Sequence, residues 1–243
     1  MKTDNVEQRY QDGTYLVHNP DWDRSDSLWK AMLILNILKE FKLSPASICE
    51  VGCGAGDILV HIKKVYPDTI LTGFDISTDV ARFWKAHEGH GIQFHCGDFL
   101  ELNQQHYDCI LLLDVIEHLA NPFDFLGAIK ERAKYFVFHF PLDLSASSVL
   151  REKPLLKARQ NVGHIHYFTK GLAFALLRET GFDVMHWRYT NAYLSGPDRR
   201  LRTRLASLPR RLACSINKDF GVRLLGGETL VVLAKAANNK HQL

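Results

Sequence analysis

The stretch from residue 48 to residue 57 constrains the fold more than any other part of the chain. An apolar run there leads straight into three alternating glycines and then into an amphipathic stretch, in the order Ile48-Cys49-Glu50-Val51-Gly52-Cys53-Gly54-Ala55-Gly56-Asp57. Glycine is required where the backbone takes a positive φ or where a ligand approaches the main chain without meeting a Cβ atom. A strand, a glycine turn and a helix in this order predict the ligand crevice at the carboxyl end of the first strand of an open α/β sheet.

Short apolar runs alternate with amphipathic stretches along most of the chain. The apolar runs occupy residues 47–51, 69–74, 92–95, 107–113, 135–140, 182–189 and 228–234. Helical spacing of apolar residues occurs at residues 57–66, 78–87, 123–133 and 169–180. Continuous apolar strands separated by helices are typical of a parallel sheet covered on both faces, and right-handed crossovers between such strands produce a doubly wound sheet. We therefore predict a single α/β domain of this kind.

The alternation also marks where the main domain begins and ends. It divides the chain into an N-terminal arm and helix (1–46), the main domain (47–235) and a tail (236–243). Few apolar positions recur before residue 27, so we expect a loose arm there. A helix is then predicted to begin at Ser27 and to end by Pro45.

Two insertions lengthen the main domain. Residues 141–168 are too numerous for an ordinary loop and predict a lid or a wall of the substrate pocket. Residues 193–227 include a basic stretch that is interleaved with leucines and contains Arg199, Arg200, Arg202, Arg204, Arg210 and Arg211. This pattern predicts a basic amphipathic helix interrupted by Pro209. Such arginines could contact an anionic membrane surface or phosphate groups. The simpler interpretation is a solvated face whose leucines pack onto the sheet. No aromatic residue is interleaved, so nucleic acid is not an expected partner.

The composition excludes several other classes of protein. Hydrophobic residues make up 46% and charged residues 23% of the 243 residues, as in globular domains. No apolar run approaches the roughly 18 residues needed to span a bilayer. The polar N-terminus has no pattern of a targeting peptide, so a cytoplasmic location is expected. The five cysteines are scattered and include no C-x-x-C pair, which disfavours disulfides and a structural zinc site.

A second acid follows the second predicted strand. Asp75 lies 23 positions after Gly52, where a carboxylate can accept hydrogen bonds from the ribose hydroxyls of an adenosine-type cofactor. The glycine pattern is G-x-G-x-G preceded by Glu50, rather than the G-x-G-x-x-G of dinucleotide-binding proteins. A carboxylate beside the loop disfavours a pyrophosphate and suits a ligand that carries an ammonium and a sulfonium group.

These residues support a resemblance to a known family. Residues 50–56 resemble motif I of class I S-adenosylmethionine-dependent methyltransferases, in which an acid precedes the alternating glycines. Residues 114–119 (DVIEHL) and 163–169 (GHIHYFT) are similar to segments of the ubiquinone/menaquinone-type small-molecule methyltransferases. The resemblance covers roughly residues 47–190. It implies a Rossmann-like, seven-stranded, mostly parallel sheet whose last strand is antiparallel.

The resemblance also implies the cofactor and its contacts. The cofactor would be S-adenosylmethionine, and its contacts would come from Glu50, Gly52, Gly54, Asp75, Asp98, Phe99 and Leu113. In this pattern Asp75 binds the ribose, Asp98 the adenine amino group and Phe99 the adenine ring, while Leu113 offers a backbone contact. Lys30, in the helix before the glycine loop, is either a contact to the cofactor's carboxylate or, more simply, a solvated lysine.

The methyl-acceptor side is expected to use histidine. Methyl transfer from a sulfonium is an in-line displacement that depends on positioning and can require a base. His118 is the candidate base, with Glu117 beside it to orient the ring, although a purely structural role for His118 is equally open. His139, at the end of the fifth strand, is also a candidate but suits packing better, and His164 is expected to hydrogen-bond loop backbone. The spacing of these histidines gives no reason to expect a bound metal ion.

The sequence thus predicts a methyltransferase that acts on a small molecule, with oxygen favoured over nitrogen or carbon as the acceptor atom. RNA or protein methylation is the alternative enzymatic function. Residues 113–116 read Leu-Asp-Val-Ile and do not resemble the N-P-P-Y loop of base-amino methyltransferases. A non-catalytic nucleoside-binding scaffold is the third possibility.

Overall fold

The computed structural model describes residues 8–10, 12–22, 24–195 and 201–237. The strands within these ranges are β1 (Ser47–Val51), β2 (Ile70–Asp75), β3 (Ile92–Cys96), β4 (Tyr107–Leu113), β5 (Ala133–Leu142), β6 (Phe182–Tyr189) and β7 (Glu228–Ala236). The α-helices are α1 (Thr14–His18), α2 (Ser27–Glu40), α3 (Asp57–Val65), α4 (Thr78–Trp84), α5 (Phe99–Leu102), α6 (Pro122–Ile129), α7 (Ala146–Arg151), α8 (Lys153–Asn161), α9 (Lys170–Glu179), α10 (Ala192–Ser195), α11 (Leu201–Ile216) and α12 (Lys218–Leu225).

The strands form one seven-stranded sheet in the order β3-β2-β1-β4-β5-β7-β6. The pairs from β3 to β5 are parallel, and β7 runs antiparallel to both β5 and β6. The predicted seven-stranded, mostly parallel sheet with an antiparallel last strand is therefore confirmed. The strand order reverses direction between β1 and β4, which places a crevice outside the carboxyl ends of these two strands.

Helices cover both faces of the sheet, and this explains why the strands read as unbroken apolar runs. In β4, Ile110 and Leu112 pack on one face with residues of α6 and α9. Cys109 and Leu111 pack on the other face with residues of α2 and α3. Because side chains alternate along a strand, both sets of positions must be apolar when neither face meets water.

The N-terminal segment corrects one expectation. Residues 1–7 lie outside the described part of the chain, but residues 12–22 are not a loose arm, because they contain α1. Tyr15 is buried, and its ring packs between those of Tyr10 and Trp22, with centroid separations of 5.1 and 4.8 Å. Three aromatic rings supply the buried area here, so the segment folds without the aliphatic periodicity by which helices are usually recognised.

The first insertion contains two short helices. Residues 141–168 contain α7 and α8, and α7 begins with a capping box in which Ser145 and Ser148 each accept a hydrogen bond from the other's backbone N–H. Val162 and His164, which follow α8, line the crevice, as a substrate wall would.

The second insertion differs from expectation in two ways. Helix α11 continues through Pro209 rather than being interrupted there. Leu208 and Leu212 are 66% and 68% exposed, so the interpretation in which the leucines pack onto the sheet is wrong for these two residues. Arg199 and Arg200, named above as part of the basic segment, lie outside the described residues, as does the tail after residue 237. In the part of the chain that the structure covers, no helix combines the length and apolar character needed to cross a membrane.

Candidate functional site

The glycine loop joins β1 to α3 at the point where the strand order reverses. The backbone N–H groups of Gly52 and Cys53 both donate to the carbonyl oxygen of Phe74, at 2.8 and 2.9 Å. The indole N–H of Trp84 donates to the carbonyl oxygen of Gly54 at 2.9 Å. These bonds hold the loop against the carboxyl end of β2.

Gly54 combines a left-handed backbone with an open face toward the cavity. Its φ is +52°, and a Cβ atom added to it would meet no protein atom within 4 Å, so this side of the loop faces open space. Its N–H donates to Asp75 Oδ2 at 2.9 Å, and Asp75 Oδ1 accepts the N–H of Ser77 at 2.9 Å. Burial raises the pKa of Asp75, while these two N–H groups act in the opposite direction. The predicted acid after the second strand therefore also fixes the glycine loop.

Glu50, the last acid of β1, is buried and lines the same space. Among the described residues, its Oε2 atom has no hydrogen-bond partner. Burial raises the pKa of Glu50 to about 8, and the positive charge of Lys30 works against that rise. A buried carboxyl with an unused acceptor atom is costly unless a cation or a donor reaches it.

The remaining residues predicted to contact the cofactor lie near the carboxyl ends of β3 and β4. Asp98 caps α5 by accepting the N–H of Leu100 at 2.7 Å. Phe99 is buried with its ring edge-on to Phe74 at a centroid distance of 5.2 Å. Leu113 ends β4. Asp98, Phe99 and Leu113 all line the crevice.

The crevice is a cavity of about 1320 Å³. This exceeds the roughly 300–1,000 Å³ of a typical small-ligand pocket, so there is room for a cofactor and a second molecule. All seven residues predicted to contact the cofactor line it, and so do His118, His139 and His164. The sequence-predicted residues of both sides are thus brought into one cavity, apart from Glu117, which is buried behind its wall.

Asp114 follows β4 with a left-handed backbone, φ 55°. Its Oδ2 atom lies 2.8 Å from Lys30 Nζ, and its Oδ1 atom accepts a hydrogen bond from His139 Nδ1 at 2.6 Å. His139 Nε2 in turn lies 2.8 Å from the hydroxyl of Thr229. Burial alone would raise the pKa of Asp114, but His139 and Lys30 outweigh it and hold that pKa well below its usual range. Lys30 is therefore not a solvated lysine, because it is paired with Asp114 in the lining of the cavity.

His118 is partly buried in a wall of the cavity. Its Nδ1 atom lies 2.8 Å from the hydroxyl of Tyr10 and 3.2 Å from the carbonyl oxygen of Gly163. Its Nε2 atom is 4.0 Å from Glu117 Oε1, too far for the hydrogen bond by which Glu117 was expected to orient the ring. Burial, followed by the charge of the neighbouring His164, lowers the pKa of His118 to about 4.

Glu117 and His164 complete a small cluster beside His118. His164 Nδ1 bonds the carboxylate of Asp143 at 2.6 Å, not loop backbone as expected, and His164 Nε2 lies 3.9 Å from Glu117 Oε1. The Glu117 side chain is fully buried, and neither of its oxygens has a hydrogen-bond partner among the described residues. Burial, followed by the charge of Asp114, raises the pKa of Glu117 well above its usual range. Atoms of Glu117, His118 and His164 that can bind a metal all lie within 4.8 Å of one another.

Sequence reasoning missed three polar partners in this region, which are Tyr10, Asp143 and Thr229. Each is far along the chain from the histidine that it contacts. The one usable signal was the group of aromatic residues near the N-terminus, which is unusual for a loose arm. Nothing in the sequence around Asp143 or Thr229 indicates that these residues contact the histidines.

Comparisons with known proteins agree with this geometry. A family model described as a methyltransferase domain matches residues 28–186. Among curated proteins, a malonyl-[acyl-carrier protein] O-methyltransferase of Bacillus cereus is 29% identical over 106 residues, which are 41% of this chain and 39% of that protein. A ubiquinone biosynthesis O-methyltransferase of Roseobacter denitrificans is 24% identical over 153 residues, 56% of this chain and 59% of that protein. The chain therefore spans between about two fifths and three fifths of these relatives.

Solved structures show the same fold at low identity. The magnesium protoporphyrin IX methyltransferase of Synechocystis, crystallised with S-adenosylhomocysteine, superposes with a TM-score of 0.63 at 14% identity. The match covers 96% of this chain and all of that one. At this identity the likeness is evidence for the fold.

Proposed function

The chain belongs to the class I S-adenosylmethionine-dependent methyltransferase family, and from this premise we propose that it methylates an oxygen atom of a small-molecule acceptor. The observation that carries the proposal is the single cavity lined both by the glycine loop with its acids and by three histidines. The two curated relatives described above are named O-methyltransferases, which supports oxygen as the acceptor atom.

The residues on the cofactor side fit S-adenosylmethionine, the cofactor of this family. The open face of Gly54 provides a place where a ligand can lie against the main chain. Asp75 keeps acceptor capacity for ribose hydroxyls after accepting two backbone N–H groups, since each carboxylate oxygen has a second lone pair. The unpartnered oxygen of Glu50 suits an ammonium group, which would remove the cost of burying that carboxylate.

When bound, S-adenosylmethionine supplies a methyl group attached to a positively charged sulfur. The task left to the protein is to hold the acceptor oxygen in line and to take its proton. Enclosure between the glycine loop and the wall formed by Val162 and His164 restricts the acceptor's orientation.

Of the predicted acceptor-side residues, His139 has the contacts of a proton acceptor. Asp114 orients its ring through Nδ1 and stabilises the charged imidazolium, as a carboxylate does in a hydrolase triad. Its Nε2 atom reaches the hydroxyl of Thr229, which lines the cavity and can pass on a proton. His118 was predicted as the base, but its pKa of about 4 lets it hold a transferred proton only weakly. We therefore assign the base to His139, with His118 as a neighbour of the acceptor.

The alternatives make different predictions about where the methyl group goes. Purified protein would be incubated with methyl-labelled S-adenosylmethionine and with separated metabolite, lipid, RNA and protein pools from cell extract. We expect label in a small-molecule pool and, by mass spectrometry of the product, on oxygen. Label in RNA or protein, or a methylated nitrogen or carbon, would contradict the proposal. Cofactor binding without any transfer would favour a scaffold.

A substitution of the proposed base tests its role in the same methyl-transfer assay. His139→Gln should lower kcat by about 10²–10⁴-fold, the usual contribution of general base catalysis, while the Kd for S-adenosylmethionine stays unchanged. Unchanged kcat would remove His139 from the mechanism without affecting the assignment of the methyl acceptor.

We also propose that the basic helix α11 contacts an anionic surface. Exposed Leu208 and Leu212, together with Arg211 on the same helix, form an amphipathic surface of the type that lies on anionic lipid headgroups. Such a contact would suit an acceptor drawn from a membrane.

A further inference from the structure

We propose that Glu117, His118 and His164 form a binding site for one divalent transition-metal ion, such as Zn²⁺, in the wall of the acceptor cavity. The three side chains come from two places in the chain, the short turn after β4 and the segment between α8 and α9. One carboxylate oxygen and two imidazole nitrogens form a donor set that zinc sites use when a further coordination position stays open.

The second contact of each imidazole orients it toward a common point. His164 Nδ1 lies 2.6 Å from the Asp143 carboxylate, so Nδ1 carries the proton and the lone pair is on Nε2. A carboxylate that holds the far nitrogen of a ligating histidine is the usual outer partner in zinc sites. His118 Nδ1 lies 2.8 Å from the Tyr10 hydroxyl, which itself donates to the carbonyl oxygen of Val162 at 3.4 Å, and 3.2 Å from the carbonyl oxygen of Gly163. Donation from Nδ1–H to the Tyr10 and Gly163 oxygens likewise leaves the Nε2 lone pair free.

The two Nε2 atoms then face the same acceptor atom. His118 Nε2 and His164 Nε2 lie 4.0 and 3.9 Å from Glu117 Oε1. Metal–ligand bonds of about 2.1 Å in a tetrahedral site separate the ligand atoms by about 3.4 Å. These two nitrogen–oxygen distances are therefore longer by roughly half an ångström, and the two imidazole ligand atoms lie within 4.8 Å of each other. Rotation of the side chains would bring the three atoms to coordination distance.

Glu117 is the independent reason to expect a cation. Its side chain has no exposure to solvent, and both carboxylate oxygens lack a hydrogen-bond partner among the described residues. Burying a carboxyl in this way costs free energy unless something pairs with it. The nearby Asp114 does not share this need, because Lys30 and His139 already pair with it.

Backbone hydrogen bonds join the two chain segments that contribute the cluster. The carbonyl oxygen of Glu117 accepts the N–H groups of Ile165 and His166 at 2.9 and 3.1 Å. These bonds fix the two contributing segments to each other before any ion binds.

The position of the site also suggests what the ion does, and this part rests on the proposed function. His118 and His164 line the cavity, so the open coordination position would face the acceptor. An ion there would favour acceptors that offer an anionic or readily ionised oxygen, because a Lewis acid lowers the pKa of a bound hydroxyl.

Metal binding by the full chain can be tested without any acceptor. Protein treated with a chelator and dialysed would be titrated with Zn²⁺ by calorimetry and with Co²⁺ by visible absorption. We expect one equivalent to bind, with Co²⁺ bands typical of mixed nitrogen and oxygen ligation. Glu117→Gln and His164→Gln should each weaken binding by at least about 100-fold, and Asp143→Asn by about 10–100-fold as an outer partner.

His166→Gln is the matched control, because His166 lies two residues from His164 in the same segment but bonds the carbonyl oxygen of Leu119. It should bind both ions like the unchanged protein. Absence of binding by the unchanged protein, or equal binding by Glu117→Gln, would overturn the proposal.

Thermal unfolding gives a second readout that a purely structural Glu117 would not produce. Without metal, Glu117→Gln should be at least as stable as the unchanged protein, since it removes a buried, unpaired carboxyl. With excess Zn²⁺ the order should reverse, because the ion stabilises only the protein that binds it. A variant that is less stable both with and without Zn²⁺ would contradict the site. Loss of methyl transfer with intact metal binding would instead count against the proposed function.

Discussion

The glycine loop makes one prediction that separates cofactor binding from folding. Gly54 and Gly89 both have positive φ values, +52° and +85°, and an added Cβ would meet no protein atom within 4 Å at either. They differ in that Gly54 lines the cavity. Alanine at either position should cost about 1 kcal/mol, since a left-handed backbone disfavours a side chain. For a chain of this length that lowers Tm by about 2–4 °C.

Only Gly54→Ala should also impair the cofactor site, because its methyl group would occupy space that the ligand needs. At a concentration of 100 times Kd, S-adenosylmethionine should stabilise the unchanged protein and Gly89→Ala by about 2.7 kcal/mol. A tenfold or greater loss of affinity in Gly54→Ala reduces this to about 1.4 kcal/mol or less. Thermal shifts with and without cofactor, together with calorimetric Kd values, measure both effects. Equal cofactor responses in the two variants would refute the placement of the ligand against Gly54.

Two further predictions concern buried charge. Burial raises the pKa of Glu50 from 4.5 to about 8. The contribution of Glu50 to the free energy of unfolding is therefore fully present below pH 4.5 and is lost as the pH rises to 8. At 1.36 kcal/mol per pKa unit, this loss is at most about 5 kcal/mol. Glu50→Gln should therefore gain stability relative to the unchanged cofactor-free protein between pH 5 and pH 8 in denaturant unfolding, and a constant difference would count against it. Lys30→Met should lower the free energy of unfolding by about 2–3 kcal/mol, because it breaks a largely buried pair and leaves Asp114 with one partner. Arg24→Met breaks the more exposed pair with Asp57 and should cost less than about 1 kcal/mol. Similar losses of stability in the two variants would show that Asp114 does not depend on Lys30.

The fold and the cofactor side could be predicted because their signals are local in the sequence. Each strand reads as an apolar run because both faces of the sheet are covered, and the glycines follow β1 directly. Asp75 and Asp98 come at the ends of their strands, and parallel strands bring such ends to one edge of the sheet. Residues that are close together in the sequence therefore determine this part of the structure.

The acceptor side could not be predicted to the same depth because its contacts join distant parts of the chain. His118 meets Tyr10, His164 meets Asp143 and Glu117, and His139 meets Thr229, and no periodicity links these positions. The exposure of Leu208 and Leu212 was missed for a related reason. An amphipathic pattern indicates that one face is apolar but not what covers it.

The backbone at Asp114 connects the two buried acids that follow β4. A non-glycine residue with φ 55° carries a cost of about 1–2 kcal/mol, and its pairs with Lys30 and His139 offset that cost. The turn that follows joins Glu117 to residues 165 and 166, whose N–H groups donate to its carbonyl oxygen, while its carboxylate has no hydrogen-bond partner in the part of the chain that the structure describes. Two acids three residues apart thus differ in their surroundings: the Asp114 carboxylate is paired with Lys30 and His139, while the Glu117 carboxylate has no hydrogen-bond partner among the described residues. A strained residue held by specific partners is typical of a functional site. We therefore expect the acceptor chemistry to depend on both acids, Asp114 through His139 and Glu117 through the ion that it binds.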